Sequence, residues 1–445
     1  MAEVITSSKR SALLRKNILA SFFLKAWSAI VVLLMVPVTL HCLGEYKNGV
    51  WLTISSLLIW IDNMDIGLGN GMRNNLATLL AKDDTEGCRS LISSTFAMLI
   101  SIMLPTALVL VGLIAGCDTY QFLNVSRQEI SDLDNILITS VILVCSTFIF
   151  KLIGNFYMGL QLPAVSNLLL AIGQTLALLI TYFIYISGSH SLYLIALANT
   201  LAPLVVYLGA YPYTFFYKYP HLRPSMRLVD INKAKSVMTL GIKFFIMQVS
   251  GIILFMSSNI LISKLFSPAL VTPYQITYRY FSLFLVVFTI VCMPYWNATT
   301  DAYARGDIDW IRNATSRLRR MTVYILIGMA VMLVLSNYIY SIWVGPDVDI
   351  DFQMSAMMAL YIFILIYSMR YSYFINGIGK LRLQLIFTSA AAILFIPVAY
   401  IVVRLTDSII CFMAVMCIIN IPSLVINKLQ FHKLISGKAK GIWNK

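Results

Sequence analysis

Five positively charged side chains lie inside segments that are otherwise long and apolar enough to span a lipid bilayer. They are Lys25, Lys151, Lys243, Arg279 and Arg370. A charge near the centre of a membrane helix costs roughly 3 kcal/mol or more, so it is kept where something uses it. Arginine binds phosphate oxygens through paired hydrogen bonds, and lysine binds them as a point charge. The pattern predicts a cavity that carries an anion through the membrane.

The two arginines lie among tyrosines, in the segments YQITYRY (274–280) and YSMRYSY (367–373). Such a surface suits a wet, partly polar wall, and its aromatic rings can stack against sugar rings. For each lysine taken alone, the alternative is snorkelling, in which the long side chain carries its charge to the lipid headgroups. Snorkelling explains one such lysine more easily than five cations together, and Lys151 is the weakest candidate of the five.

Asp62 and Asp65 lie at a comparable depth, three residues apart and hence on one helix face. They could hold a proton or Na⁺, or pair with one of the cations, and Asn259 is a further candidate for ion coupling. The alternative places Asp65 in water at the end of a bent helix. For most buried amides, interhelical hydrogen bonds are the simplest explanation. The sequence has no Walker-type nucleotide loop, so we expect no cofactor and transport driven by a gradient or by substrate turnover.

These residues must be positioned by membrane helices. The chain has 445 residues, of which 59% are hydrophobic and 12% charged, with a mean hydropathy of +0.82. That composition excludes a soluble domain. We expect an all-α integral membrane protein with about 12 transmembrane helices, since each apolar stretch approaches the roughly 20 residues that cross a bilayer. The stretches are 18–41, 49–70, 88–115, 135–158, 163–187, 191–217, 237–262, 271–298, 321–343, 353–378, 382–404 and 408–427.

The longest basic connection separates the first six stretches from the last six. We therefore predict an N-terminal lobe (1–217), a basic cytoplasmic linker (218–236) and a C-terminal lobe (237–445). The halves show weak internal similarity, because Lys25 and Lys243 each lie near the start of their lobe's first stretch. Six helices in each half would give the two lobes the same orientation, as in several transporter folds.

The distribution of Lys and Arg predicts the orientation of the chain. Apart from the five intramembrane cations, almost all of them lie on the side of the two termini, and the opposite side holds Lys47, Arg127, Lys264 and Arg404. The positive-inside rule then places both termini in the cytoplasm. The net charge of +14 reflects this bias and is no sign of a nucleic-acid partner. The outer loops are short, which argues against an enzyme acting on the outer face.

Several motifs resemble the bacterial O-antigen and capsule flippases, the polysaccharide transporter family of the multidrug/oligosaccharidyl-lipid/polysaccharide (MOP) exporter superfamily. They are DIGLGNGMRN (65–74), GIKFFIMQ (241–248) and the region from VTPY (271–274) through PYW (294–296) to Asp307. The resemblance runs over most of the chain. One departure is Ser257-Ser258-Asn259, where the family pattern would have Thr-Asp-Asn. The missing acid puts a cation-coupling role at that place in doubt.

The resemblance implies two six-helix lobes around a central cavity, in the bacterial cytoplasmic (inner) membrane. It implies flipping of an undecaprenyl-diphosphate-linked oligosaccharide to the outer leaflet, with membrane lipids and the polysaccharide polymerase machinery as further partners. The cations would contact the diphosphate or acidic sugars. One alternative is a drug/cation antiporter of the same fold, whose cavity should be acidic. The other is a membrane polysaccharide polymerase or ligase, which should have a large outer loop.

Overall fold

The computed structural model shows a chain that is helical throughout its regular structure. It describes residues 7–62, 68–80, 82–160, 162–230, 257–304, 306–345 and 348–444, and no strand occurs within these ranges. The chain divides into two compact units, Met1–Phe245 and Ile246–Lys445. The predicted boundary at 217/218 lies within the described residues, and the one at 236/237 lies outside them. The predicted lobes and linker stay a prediction.

The first unit begins with a long helix that is interrupted once. Helix α1 has a non-helical residue at Gly44 (φ 71°, ψ 171°), which divides it where the sequence predicts two separate spans. Its 56 residues would extend about 84 Å without that break, far more than one bilayer crossing needs. The helices of this unit are α1 (Ser7–Asp62), α2 (Leu68–Leu80), α3 (Thr85–Gly116), α4 (Thr119–Leu123), α5 (Leu133–Gly159), α6 (Pro163–Ile186) and α7 (Leu192–Pro212), followed by a π-helical turn at Tyr213–Lys218.

The second unit has a sharp bend between two consecutive helices. Its helices are α8 (Val271–Ala304), α9 (Ile308–Val334), α10 (Ser336–Trp343), α11 (Phe352–Ile378), α12 (Arg382–Thr406) and α13 (Ile409–Ile435). Residues 257–265 are also helical. The α9 and α10 axes differ by 67°, a bend that fits either one broken span or a re-entrant segment. A short 3-10 turn, Gly441–Asn444, follows α13.

Side-chain caps fix where several helices begin. The carboxylates of Asp84, Asp307 and Asp351 accept hydrogen bonds from the backbone N–H groups of Gly87, Trp310 and Gln353, at 2.7, 3.0 and 2.9 Å. Each bond satisfies a donor that has no partner within its own helix. Helix α11 ends at Ile378 and is followed by Gly379, whose φ of 82° suits a residue without a side chain.

The outward faces of many helices are apolar. Leu108 on α3 is 67% exposed, and Ile393 and Leu405 on α12 are 71% and 79% exposed. Contiguous apolar surface of this kind belongs in lipid, where every backbone polar group must be satisfied within helices. By length and composition, nine helices of the described chain could cross a membrane, or ten if α9 and α10 form one span. The prediction of an all-α membrane protein is confirmed, whereas the count of twelve and the orientation stay predictions.

Helix α11 is the central element of the second unit. It packs against α8 on one side and α13 on another. At the α8 crossing, a Cβ atom built on Gly377 would lie 2.7 Å from the carbonyl oxygen of Trp296, so the two backbones approach as closely as glycine allows. On the α13 side, Asn427 donates hydrogen bonds to the hydroxyls of Ser368 and Ser372 at 3.0 and 2.9 Å. These contacts fix the part of α11 that carries Arg370.

Candidate functional site

Arg370 is a buried cation held by tyrosines. Its side chain is 3% exposed, and its guanidinium carbon lies 4.5 Å from the ring centroids of both Tyr367 and Tyr371. Its Nη2 atom donates a hydrogen bond to the Tyr371 hydroxyl. Within the described chain, Nε is buried without a hydrogen-bond partner and no carboxylate lies within ion-pair distance. The ring faces stabilise the charge in part, and the guanidinium retains an unused donor.

Arg370 lines a pocket of about 410 Å³ between α9, α11 and α13. The other charged residues of its wall are Arg312 and Arg319 from α9 and Lys428 from α13, and His432 lies beside them. These four side chains are exposed, and none of the described residues of the wall is acidic. Arg312 pairs with Asp309, which lies outside the wall, at 3.1 Å. An opening lined by one sign of charge concentrates ions of the opposite sign, here anions.

The sequence analysis placed Arg312, Arg319 and Lys428 in the polar connections and tail, and it gave no role to His432. A pattern in the sequence could have found them. Arg312 and Arg319 are seven residues apart, and Lys428 and His432 are four apart, so each pair lies on one face of a helix. Both helix faces lie beyond the ends of the apolar stretches, where hydropathy does not indicate that the helix continues.

The first unit contains a second cavity, of about 340 Å³, between α1, α5, α6 and α7. Lys151, Gln174 and Asn199 line it together with Thr147 and Tyr207. The Asn199 amide donates to the Ile195 carbonyl at 2.9 Å. The Gln174 Oε1 atom is buried and has no hydrogen-bond partner among the described residues. Lys151 therefore lies at the wall of an open, largely apolar cavity, in which Gln174 and Asn199 are further polar groups.

Gln275 and Arg279 on α8, together with Asn259 on the helical segment 257–265, form a polar seam. The Gln275 amide donates to the Asn259 Oδ1 atom at 2.6 Å, and Asn259 is buried. Arg279 is partly buried and lies one turn beyond Gln275 on the same helix, so both occupy one face. Arg279 is not part of the Arg370 pocket.

The remaining predicted site residues lie apart from both cavities or outside the described residues. Lys25 is exposed on α1, beside the exposed rings of Phe22 and Phe23. Asp62 is the last residue of α1, and its side chain is not among those described. Asp65 and Lys243 lie outside the described residues altogether. The structure thus places Lys151 and Arg370 at cavity walls of different units and brings no two of the five predicted cations into one described pocket.

Comparison with solved structures decides the fold. The chain superposes on a multidrug resistance MATE family transporter of the MOP superfamily in its inward-facing conformation, with a TM-score of 0.73. That match has 16% identity and covers 94% of this chain and 95% of that one. The chain has the fold of a MOP-superfamily transporter.

Other MOP transporters have the same fold. A MATE family transporter in the outward-facing conformation matches with a TM-score of 0.62 and 16% identity, covering 94% of this chain and 96% of the other. A MOP transporter from Pyrococcus furiosus, described as having a binding pocket of reverse polarity that suggests a different function, matches with a TM-score of 0.55. Its identity is 15%, over 96% of this chain and 95% of that one.

Two curated relatives support the resemblance to polysaccharide transporters. Both are provisionally named O-antigen transporters. The Salmonella typhi protein is 22% identical over 378 residues, covering 82% of this chain and 83% of the relative. The Salmonella typhimurium protein is 21% identical over 391 residues, covering 84% and 86%. No family model matches the chain. The predicted resemblance is confirmed, and the relatives' names are those of transporters and not of enzymes.

Proposed function

We propose that this MOP-fold chain is a flippase for a lipid-linked oligosaccharide. It would move an undecaprenyl-diphosphate-linked O-antigen or capsule repeat unit from the cytoplasmic to the outer leaflet of a bacterial inner membrane, by alternating access. The names of the two relatives support the substrate class. The diphosphate needs cations, the sugars need a wet aromatic surface, and the lipid tail can stay in the bilayer.

The burial of Arg370 is the observation that carries this proposal. A buried guanidinium is costly unless an anion compensates it. In the described chain, Arg370 has tyrosines as neighbours and no carboxylate, and its pocket is open. The negative charge that the described residues do not supply would come from the substrate. Arginine suits this role because its donors match the oxygens of a phosphate.

We assign supporting roles to the other cations. Lys151, at the cavity of the first unit, and Arg279, on the α8 seam, would contact the diphosphate or acidic sugars during passage. Lys25 and Lys243 are proposed to do the same. Coupling to H⁺ or Na⁺ through Asp62, Asp65 and Asn259 is a further proposal. The Asn259 side chain is an uncharged amide whose oxygen accepts a hydrogen bond from Gln275, so it could contribute to an ion site only as a neutral oxygen ligand.

The drug/cation antiporter is the main competing function. A cavity that collects cations should carry acidic groups, and the described residues that line the two cavities include none. The reverse polarity described for the Pyrococcus furiosus protein supports the view that pocket charge varies within this fold. The polymerase or ligase alternative finds no support in the relatives, which are named transporters.

Deletion of the gene in its bacterium of origin tests the proposal. We expect loss of the surface polysaccharide and accumulation of one undecaprenyl-linked glycan on the cytoplasmic leaflet. Complementation with Arg370→Gln or Arg279→Gln, at normal membrane levels, should fail. Arg404→Gln is the matched control, because Arg404 is exposed on α12 and lies in neither cavity. Normal surface polysaccharide after deletion, with no accumulated glycan, would refute the proposed function.

A further inference from the structure

The Arg370 pocket lies at one end of the second unit, where α9 begins and α11 and α13 end. Charge distribution predicts that this end faces the cytoplasm. Every described residue that lines the pocket belongs to the second unit. A ligand could therefore bind here through one unit alone.

The cations lie at two depths along their helices. Counted from the helix ends at 1.5 Å per residue, Arg312 lies about 6 Å along α9 and His432 about 4.5 Å along α13. Lys428, Arg370 and Arg319 lie deeper, at about 10, 12 and 16 Å along their helices. The pocket thus offers an outer and an inner level of positive charge, with Arg370 fixed at the inner level.

Two levels of charge suit a ligand that has two charged centres. A single phosphate can contact the cations of the inner level or those of the outer level. A diphosphate is long enough to contact both. Four permanent cations also favour an anion with more than one negative charge, because the attraction scales with the product of the charges. The rings of Tyr367, Tyr371 and Phe431 complete the wall with apolar surface.

We propose that this pocket is a diphosphate-binding site formed within the second unit. Arg370, Arg319 and Lys428 would contact the inner phosphate, and Arg312 would neutralise the outer one. This proposal rests on the proposed function for its biological ligand, the diphosphate of the lipid-linked substrate. It adds that recognition begins at the predicted cytoplasmic end and needs no residue of the first unit.

Titration of the purified full-length protein with inorganic pyrophosphate tests the site. Inorganic phosphate, which has one phosphorus centre, is titrated at the same ionic strength for comparison. Calorimetry measures the affinity of both ions. We expect pyrophosphate to bind at least about tenfold more tightly, since each additional charge-assisted hydrogen bond contributes a factor of this order. Equal affinities, or no binding of either ion, would overturn the proposal.

Helix α9 supplies a matched pair of variants. Arg312 and Arg319 line the pocket, whereas Arg317 and Arg320 are equally exposed on the same helix but do not line it. The double variant Arg312→Gln/Arg319→Gln should lose about tenfold or more in pyrophosphate affinity, and Arg317→Gln/Arg320→Gln should change it less than about twofold. Equal losses would mean that the general positive field binds the ion, and the pocket assignment would be wrong. All four side chains are exposed, so this test does not depend on tolerance of a buried substitution.

Lipid competition separates the two sources of phosphate. The protein is placed in nanodiscs of phosphatidylcholine, with or without phosphatidic acid, and pyrophosphate binding is measured again. We expect phosphatidic acid to displace it poorly. Strong displacement would assign the pocket to a single-phosphate phospholipid and overturn the diphosphate proposal.

The site and the flippase function can fail independently. If the protein binds pyrophosphate tightly but deletion of its gene accumulates no glycan, the site is supported and only the flippase function is refuted. Glycan accumulation on deletion without pyrophosphate binding would refute only the site.

Discussion

The tight crossing of α8 and α11 predicts that Gly377→Ala destabilises the second unit. The new Cβ would lie 2.7 Å from the Trp296 carbonyl oxygen and 2.8 Å from the Thr299 Cβ atom. Ordinary contacts of this kind begin at 3.4 Å, so the two helices must separate by about 0.7 Å. The Thr299 side chain has little freedom to move, because it is β-branched and its hydroxyl bonds the Tyr295 carbonyl.

The expected cost follows from two opposing effects. Overpacking of a close helix contact costs about 1–3 kcal/mol. Replacing glycine by alanine inside a helix returns up to about 1 kcal/mol. With the full offset of about 1 kcal/mol, the net loss should reach about 2 kcal/mol, which lowers the melting temperature of a unit of this size by up to about 8 °C. Pyrophosphate affinity should fall too, because Arg370 lies two turns before Gly377 on the same helix.

Thermal unfolding of the purified variant, followed by fluorescence-detected size exclusion, measures this effect. Gly112→Ala is the control, since nothing lies within 4 Å of a Cβ atom at that position of α3. Its melting temperature should be unchanged or higher. A Gly377→Ala protein that melts at or above the temperature of the Gly112→Ala protein would show that the crossing is not as close as the geometry indicates.

Asn427→Leu should lower the melting temperature through a loss of about 1–2 kcal/mol, because it removes hydrogen bonds to two α11 hydroxyls at 3.0 and 2.9 Å; unchanged melting contradicts this. Tyr371→Phe keeps the ring beside Arg370 but removes its hydrogen-bond acceptor, so pyrophosphate affinity should fall several-fold while folding is retained; unaltered affinity in calorimetry would show that the hydroxyl does not orient the guanidinium. Lys151→Met should reduce surface polysaccharide in complementation, and Lys25→Gln should reduce it less, because Lys151 lies at a cavity and Lys25 is exposed; the reverse order would argue against a role for the first cavity. A fluorescent protein fused to the C-terminus should fluoresce, and an alkaline phosphatase fused there should be inactive, since the termini are predicted to be cytoplasmic. An active phosphatase fusion would show that the predicted orientation is wrong.

Hydropathy was sufficient to locate most helices. The stretches 163–187, 353–378 and 382–404 correspond closely to α6 (Pro163–Ile186), α11 (Phe352–Ile378) and α12 (Arg382–Thr406). The agreement arises because a helix in lipid must be long and apolar and its ends must be capped.

The parts of helices that leave the lipid were not predictable in this way. Helix α9 begins at Ile308, where the sequence predicted 321, and α13 ends at Ile435, where it predicted 427. These extensions are helical because of their packing and their caps, while their composition is that of a polar surface. They carry the pocket residues that the sequence analysis missed. Arg370 was found from its burial cost, but its neighbours on other helices require tertiary structure.

The ring contacts of Arg370 have a consequence for turnover. A long, freely rotating side chain would have to be immobilised each time a ligand arrived, and this ordering weakens binding. The two tyrosines have already restricted this one. The other arginines and the lysine of the pocket are exposed, so their charges can exchange between water and an arriving ion. A preorganised guanidinium beside exposed cations would let the pocket discriminate between anions and still release the bound one quickly.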